Sequence, residues 1–486
     1  MGVVALHAVE AIVLACFAVF AAGYSMLLVL AARTATRDLA TERRRAFTTD
    51  DLIASDSQPV VTIVVPAHQE EAAILPTVRS LLAQRWQHLE VIVVPNGCTD
   101  RTLDVLAEAY DLRPTSELLV RPPSAIGRIR STWRSASDPR LRVFDTSGGG
   151  KADATNLALE RASGEFTLLV DADSLLAPHA VARAVLPFLE RGEQVAAVSA
   201  AIRVLNGSSV RDDGTVEPGL PTSSLARLQV VEYARAFHIG RAGWASLGAL
   251  PVVSGAFGMF RTSVLRAAGG LDTATVGEDL ELILRLHATV RRAGRRPEIV
   301  FVSEPLCWTE VPEDVSSLRA QRIRWHRGLV ESVHRHGSML FAPRHGTVGL
   351  VSFPFLGLFE LLAPLVELLG LAALAVAAAS GAISWAVVLA LGTFAVSFGM
   401  ALSMGAVLLE QLCGGGFVRR PRDVAAIAWW SFAEQLGHRQ RTAAWRLRGL
   451  LAGVGRQRPG NAQAAWGEMH HRGARSVVTD GAGTAG

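Results

Sequence analysis

The sequence predicts an α/β fold: a doubly wound, mainly parallel sheet flanked by transmembrane α-helices. Three observations predict it. From Pro59 to about Gly337, short β-branched runs alternate with amphipathic helical patterns, the order that builds βαβ units. Long apolar stretches stand outside that segment, at 3–32 and 348–409. Arginines gather where those stretches end: Arg33, Arg37, Arg43, Arg44 and Arg45 after the first, Arg419, Arg420 and Arg422 after the last.

Residues 3–32 hold only Glu10 as an acid and no Lys or Arg, and they exceed the ~20 residues that cross a bilayer. They lack the basic n-region and short apolar core of a cleaved signal peptide, so they read as a retained anchor. By the positive-inside rule the arginine flank is cytosolic and the N-terminus outside. The chain of 486 residues is 50% hydrophobic, with mean hydropathy +0.29 and a pI near 9.2. Juxtamembrane arginines account for that pI, and no nucleic-acid partner is implied.

The middle segment opens with a strand at 60–65, a continuous β-branched run of the kind buried on both faces. A helix over 70–82 follows, with Ile74, Leu75, Val78, Leu81 and Leu82 on one face. Next come a strand at 90–94, a helix capped by Thr99-Asp100, a strand at 141–144, a helix over 151–161 and a strand at 166–170. Polar clusters fall at the carboxyl ends of these strands, where such sheets bind ligands: 67–70, 96–100 and 171–173. Asp171 and Asp173 end the last strand two residues apart, so both carboxylates can face one cation. Hard oxygen donors of that kind suit Mg2+ or Mn2+, while a loop or cap role is the plain alternative.

Gly148-Gly149-Gly150-Lys151 is not a Walker loop, because Ala152 follows where Ser or Thr is needed. Lys151 reads either as an anion contact at a helix start or as a solvated lysine. Residues 206–224 form a surface excursion, and 225–242 an amphipathic helix along the membrane surface. Gly277-Glu278-Asp279 opens a helix, with Asp279 either a cap or a general base. Gln321-Arg322-Ile323-Arg324-Trp325 is either a positive-inside flank or a site for a diphosphate and a sugar ring.

Two further spans are expected near 351–379 and 384–409, with Pro354 and Pro364 bending the first. Glu360 and Glu367 share a helical face there, either as functional intramembrane carboxylates or in the wet interface. Residues 424–436 are too short to span and read as interfacial. The tail beyond Gly455 is expected to be disordered, with Trp466 as a local anchor. Cys16, Cys98, Cys307 and Cys413 have no paired spacing, so neither zinc nor a disulfide framework is implied. The chain thus divides into an anchor and linker (1–57), a cytosolic α/β domain (58–337), a membrane region (338–455) and a tail (456–486).

The ordered set V-V-P-A-H-Q-E-E, N-G-C-T-D-R-T, G-K-A-D-A-T-N, D-A-D-S, S-G-A-F-G-M-F-R, G-E-D and Q-R-I-R-W resembles the membrane-bound, inverting family 2 glycosyltransferases. These include the processive synthases of cellulose, hyaluronan, chitin and poly-N-acetylglucosamine. Trp308-Thr309-Glu310-Val311-Pro312 and Arg327-Gly328-Leu329 are most similar to the poly-N-acetylglucosamine type. The resemblance implies a GT-A type fold and a divalent cation, Mg2+ or Mn2+, held by Asp171 and Asp173. It implies a donor site of Pro66, Ala67, Glu70, Asn96, Asp100, Lys151, Asp171 and Arg324, an acceptor site of Glu278, Gln321 and Trp325, and Asp279 as the base. Asn96 departs from the family's paired aspartates, offering a uracil edge an amide instead of a charge. Gly277 stands where threonine is frequent.

The expected function is transfer of a sugar from a nucleotide-sugar, a UDP-sugar foremost, to a growing cell-surface polysaccharide at the cytosolic face of the inner (plasma) membrane. Single addition to a glycolipid acceptor is the alternative, and a catalytically dead nucleotide-sugar-binding scaffold a third reading. With three spans, a partner membrane subunit is also open.

Overall fold

The computed structural model describes residues 2–42, 48–116, 129–211, 215–292, 298–414 and 420–455. Arginines 43–45, Arg419 and the tail with Trp466 lie outside the described residues. Twelve strands are described: β1 (Val61–Ala67), β2 (Leu89–Pro95), β3 (Leu112–Pro114), β4 (Ile129–Ser135), β5 (Leu141–Thr146), β6 (Phe166–Leu169), β7 (Ser174–Leu176), β8 (Val195–Val204), β9 (Ser209–Val210), β10 (Val216–Glu217), β11 (Gly258–Arg261) and β12 (Glu298–Thr309). Ten of them form one sheet in the order β3-β4-β5-β2-β1-β6-β11-β8-β12-β7. The hairpin of β9 and β10 stands apart, within the expected surface excursion.

The α/β class is as expected, with parallel pairing concentrated at the centre. β5, β2, β1 and β6 run parallel, as do β8 and β12. β11 enters antiparallel between β6 and β8, and both edges of the sheet are antiparallel. Connection length explains the difference: β4 and β5 are joined by a short turn, which cannot carry the chain back for a parallel pair. Every residue of β1 and β8 is buried, as strands covered on both faces should be.

Among the described residues two helices are long and apolar enough to cross a membrane, Val13–Ala40 and Trp385–Gly414. A third candidate is the pair Val348–Glu360 and Ala363–Ala379, bent by 46° at the break between them. Pro364 sits in the first turn of the second helix of that pair, where a residue without an N–H interrupts no internal bond. Leu369, Val376, Trp385, Leu389 and Phe394 stand exposed on these helices. The helix Ser224–Arg235 and its continuation, expected along the membrane surface, bury one face inside the protein. Val231, Ala234, Phe237 and Ile239 are buried, packed against β8 and the two long apolar helices. Gly243 comes so close to the first of these that a Cβ would stand 2.8 Å from the Leu27 carbonyl oxygen.

Candidate active site

The carboxyl edge of β1, β2 and β6 gathers the loops that carry the motifs. β6 ends at Leu169, and β7, the next strand, belongs to the far edge of the sheet, so the chain must turn away at once. Asp171-Ala172-Asp173 is that turn, closed by the Ser174 amide donating to the Asp171 carbonyl at 3.1 Å. The aspartates therefore sit in a turn rather than on extended backbone. Asp171 pairs with the Lys151 ammonium. Asp173 accepts from Ser174 Oγ at 3.1 Å and from Thr309 Oγ1, at the end of β12, at 3.3 Å. Burial pushes the Cys307 thiol well up, and both Asp173 and Asp171 add to it, so the two carboxylates act on the same spot. Among the described residues no group of three or more His, Cys, Asp or Glu side chains is placed to hold a metal ion. What the turn offers a cation is two hard oxygen donors, a set that suits Mg2+ or Mn2+ with substrate phosphate and water completing the shell.

Lys151 begins the helix Lys151–Arg161 after three glycines at φ +116°, +155° and +90°, values that side chains resist. Its ammonium lies between Asp171 and Glu278, the latter at 3.9 Å. Burial alone would lower its pKa, but Asp171 and Glu278 reverse that and hold it above the usual range. Gly255 makes room for it: a Cβ there would stand 2.6 Å from Lys151 Nζ. Pro66, Lys151, Val170, Gly255, Glu278 and Asp279 line one cleft.

Glu278 and Asp279 open the helix Glu278–Arg292. Burial, opposed by Lys151 and aided by Asp279, pushes Glu278 up to about 7. Asp279, the second residue of that helix, accepts through Oδ1 from the next amide, Leu280, at 2.7 Å. From the opposite side comes the helix Val315–Arg335. Arg324 lies within reach of the field of Glu278, Asp171 and Asp279, which counter the lowering that burial imposes on it. Arg322 is buried, ion-paired with Glu232 at 2.8 Å, and its guanidinium sits 4.6 Å from the Trp325 ring centroid. The basic run is thus not a solvated flank. Trp325 is 45% exposed, and the Gln321 Oε1 is buried without a hydrogen-bond partner.

Other expected contacts are spent inside the fold. The Asn96 amide, 1% exposed, donates to Thr146 Oγ1 at 3.0 Å and accepts from the Gly150 amide at 3.2 Å. It ties the ends of β2 and β5 together. Asp100 is a cap: Oδ1 accepts from Thr102 Oγ1 at 2.6 Å, Oδ2 from the Glu71 amide at 3.0 Å. The Ala67 carbonyl accepts from the Asn96 amide at 2.8 Å, and the Glu70 amide donates to Thr102 Oγ1 at 2.9 Å. Sequence reasoning quoted Gly328 only within a motif and missed its packing against Gly277; it missed Glu232, which neutralises Arg322, altogether, since that residue matters only through a neighbour distant in sequence. All four cysteines are free.

The profile of Glycosyl transferase family 2 matches residues 62–267, and that of Glycosyl transferase family group 2 matches 166–402. A poly-beta-1,6-N-acetyl-D-glucosamine synthase of Staphylococcus epidermidis is 24% identical over 289 residues, covering 59% of this chain and 59% of that one. One from Staphylococcus aureus is 24% identical over 268 residues, 55% of this chain and 54% of its own. The chain thus spans between half and six-tenths of the length of these relatives. Among solved structures, a mannosyltransferase from Pyrobaculum calidifontis in complex with GDP-Man and Mn2+ shares the fold, with TM-score 0.55 and 21% identity over 93% of this chain and all of that one.

Proposed function

This chain belongs to glycosyl transferase family 2, and from that premise we propose that it transfers a sugar from a UDP-sugar to a growing polysaccharide, with inversion, at the cytosolic face of a membrane. One observation carries the reading: Lys151, Asp171, Glu278, Asp279 and Arg324 converge at the carboxyl edge of the sheet as a cluster of interacting charges. The relatives' product, a polymer of N-acetyl-D-glucosamine, supports an N-acetylhexosamine donor.

Asp279 takes the proton from the acceptor hydroxyl as its oxygen bonds to the anomeric carbon. The bond from that carbon to the diphosphate breaks on the opposite face, and no covalent enzyme intermediate forms. Arg324 and Lys151 bring positive charge to the departing diphosphate. Asp171 and Asp173 would hold the divalent cation, Mg2+ or Mn2+, which when bound neutralises the same diphosphate. Trp325 offers its exposed ring to an acceptor sugar, and Gln321 an unused acceptor oxygen. On this reading the positive-inside rule puts the N-terminus outside and residues 58–337 in the cytosol. A single addition to a lipid acceptor is the second reading, favoured by the small number of candidate spans, two straight and one bent.

The test is a panel of nucleotide-sugars supplied to purified protein with Mn2+, read by product mass. A ladder of oligomers from UDP-N-acetylhexosamine, lost on chelation, is expected. One new glycolipid would select the second reading, and no product from any donor would overturn both.

A further inference from the structure

The helix Arg439–Gly455 lies along the helix Val315–Arg335, the one that carries Gln321, Arg324 and Trp325. Two glycines let the pair approach closely. A Cβ on Gly449 would stand 2.7 Å from the Ile323 carbonyl oxygen, and one on Gly453 2.7 Å from Val330 Cβ. The same helix reaches the bent apolar pair through two arginines. Arg439 pairs with Glu367 at 3.2 Å. Arg446 Nη2 donates to the Glu360 carbonyl at 2.8 Å and lies 3.6 Å from its carboxylate. Tyr24, on the first apolar helix, donates to the other carboxylate oxygen of Glu360 at 2.5 Å.

Arg446 also turns back toward the acceptor helix. Its Nε donates to His326 Nδ1 at 3.4 Å, while His326 Nε2 lies 3.1 Å from the Leu361 carbonyl. Burial, with the charge of Arg446, pushes His326 down to about 4, so the ring is neutral. A neutral ring fits both contacts: Nε2–H donates to Leu361 and Nδ1 accepts from Arg446. His326 follows Trp325 directly in sequence. Four elements are therefore joined in one chain of polar contacts, Tyr24 to Glu360 to Arg446 to His326.

We infer that Arg446 is a positioning residue for sugar transfer, fixing the helix that carries Gln321, Arg324 and Trp325 against the membrane region through His326 and Glu360. The inference rests on the proposed transferase reading. Arg446 touches neither donor nor acceptor; it sets where the acceptor face of the site stands relative to Asp171 and Asp279. Small misplacements there are costly, because reacting atoms must be held near contact distance.

The experiment uses full-length protein, UDP-N-acetylglucosamine as donor and a β-1,6-linked N-acetylglucosamine pentasaccharide as acceptor probe. Donor hydrolysis without acceptor and transfer with it are measured for wild type, R446M, R446K and E360Q. R446M is expected to raise the acceptor KM about tenfold, and E360Q, which keeps the backbone carbonyl contact, by less, while hydrolysis stays within about twofold in both, with partial rescue in R446K. The double variant R446M/E360Q is expected to be no worse than R446M alone, since both act on one contact chain. Equal loss of hydrolysis and transfer, an unchanged acceptor KM or additive losses would overturn the inference. Failure of wild type to transfer would instead fail the transferase reading itself.

Discussion

Gly277 and Gly328 stand face to face, so close that a Cβ on Gly277 would lie 2.9 Å from the Gly328 backbone and one on Gly328 2.8 Å from Gly277 Cα. Through this contact the helix bearing Gln321 and Arg324 is packed against the start of the helix bearing Glu278 and Asp279. Within a helix interior, glycine costs about 1 kcal/mol relative to alanine. Forcing a methyl against backbone costs about 1–3 kcal/mol. The clash outweighs the propensity gain, so Gly328→Ala should lower thermal stability and slow transfer. Gly277→Thr should do the same, although threonine is frequent at this position in the resembling family. A variant as stable and active as wild type would show that the two helices can part without consequence.

Gly255 separates function from folding. The atom that an added methyl would meet is Lys151 Nζ, the far end of a flexible side chain. Gly255→Ala should therefore change stability by only ~0.5 kcal/mol. It should nonetheless move the ammonium away from Asp171 and raise the donor KM about tenfold, as should Lys151→Met. Titration calorimetry with UDP reads the effect without catalysis, and unchanged affinity in both variants would refute a donor role for Lys151.

Glu278 makes stability depend on pH. Its ordinary value is 4.5 and its folded value about 7. Between these the folded protein keeps a proton that the unfolded chain has lost. The resulting stabilisation is complete below the unfolded value and disappears as pH rises through the folded one. The melting midpoint of wild type should therefore fall relative to Glu278→Gln between about pH 5 and about pH 7. A difference that does not change over that range would mean that Glu278 does not titrate there.

Much of this was legible in the sequence, because the central strands are continuous apolar runs and the motifs follow them directly. The parallel centre of the sheet and the first and last apolar helices could be read from local patterns, whereas Lys151 and Asp279 are joined to Asp171 only through the family resemblance. The antiparallel placement of β11 could not, since it depends on which side of the sheet the chain returns to. Asn96 shows the limit for single residues. Its amide suits a nucleobase chemically, but the same groups close the loop to Thr146 and Gly150, partners about fifty residues away. The Asp100 carboxylate is likewise engaged locally, by Thr102 and the Glu71 amide. Burial of Arg322 depends on Glu232, ninety residues earlier.

The central claim is that Asp279 supplies the base for transfer from a nucleotide-sugar. Its most direct test is single-turnover transfer by purified wild type and Asp279→Asn, with donor affinity measured in parallel. Asp279→Asn should bind the donor as wild type does and transfer it about a hundredfold or more slowly. Transfer by the variant at the wild-type rate would contradict the account.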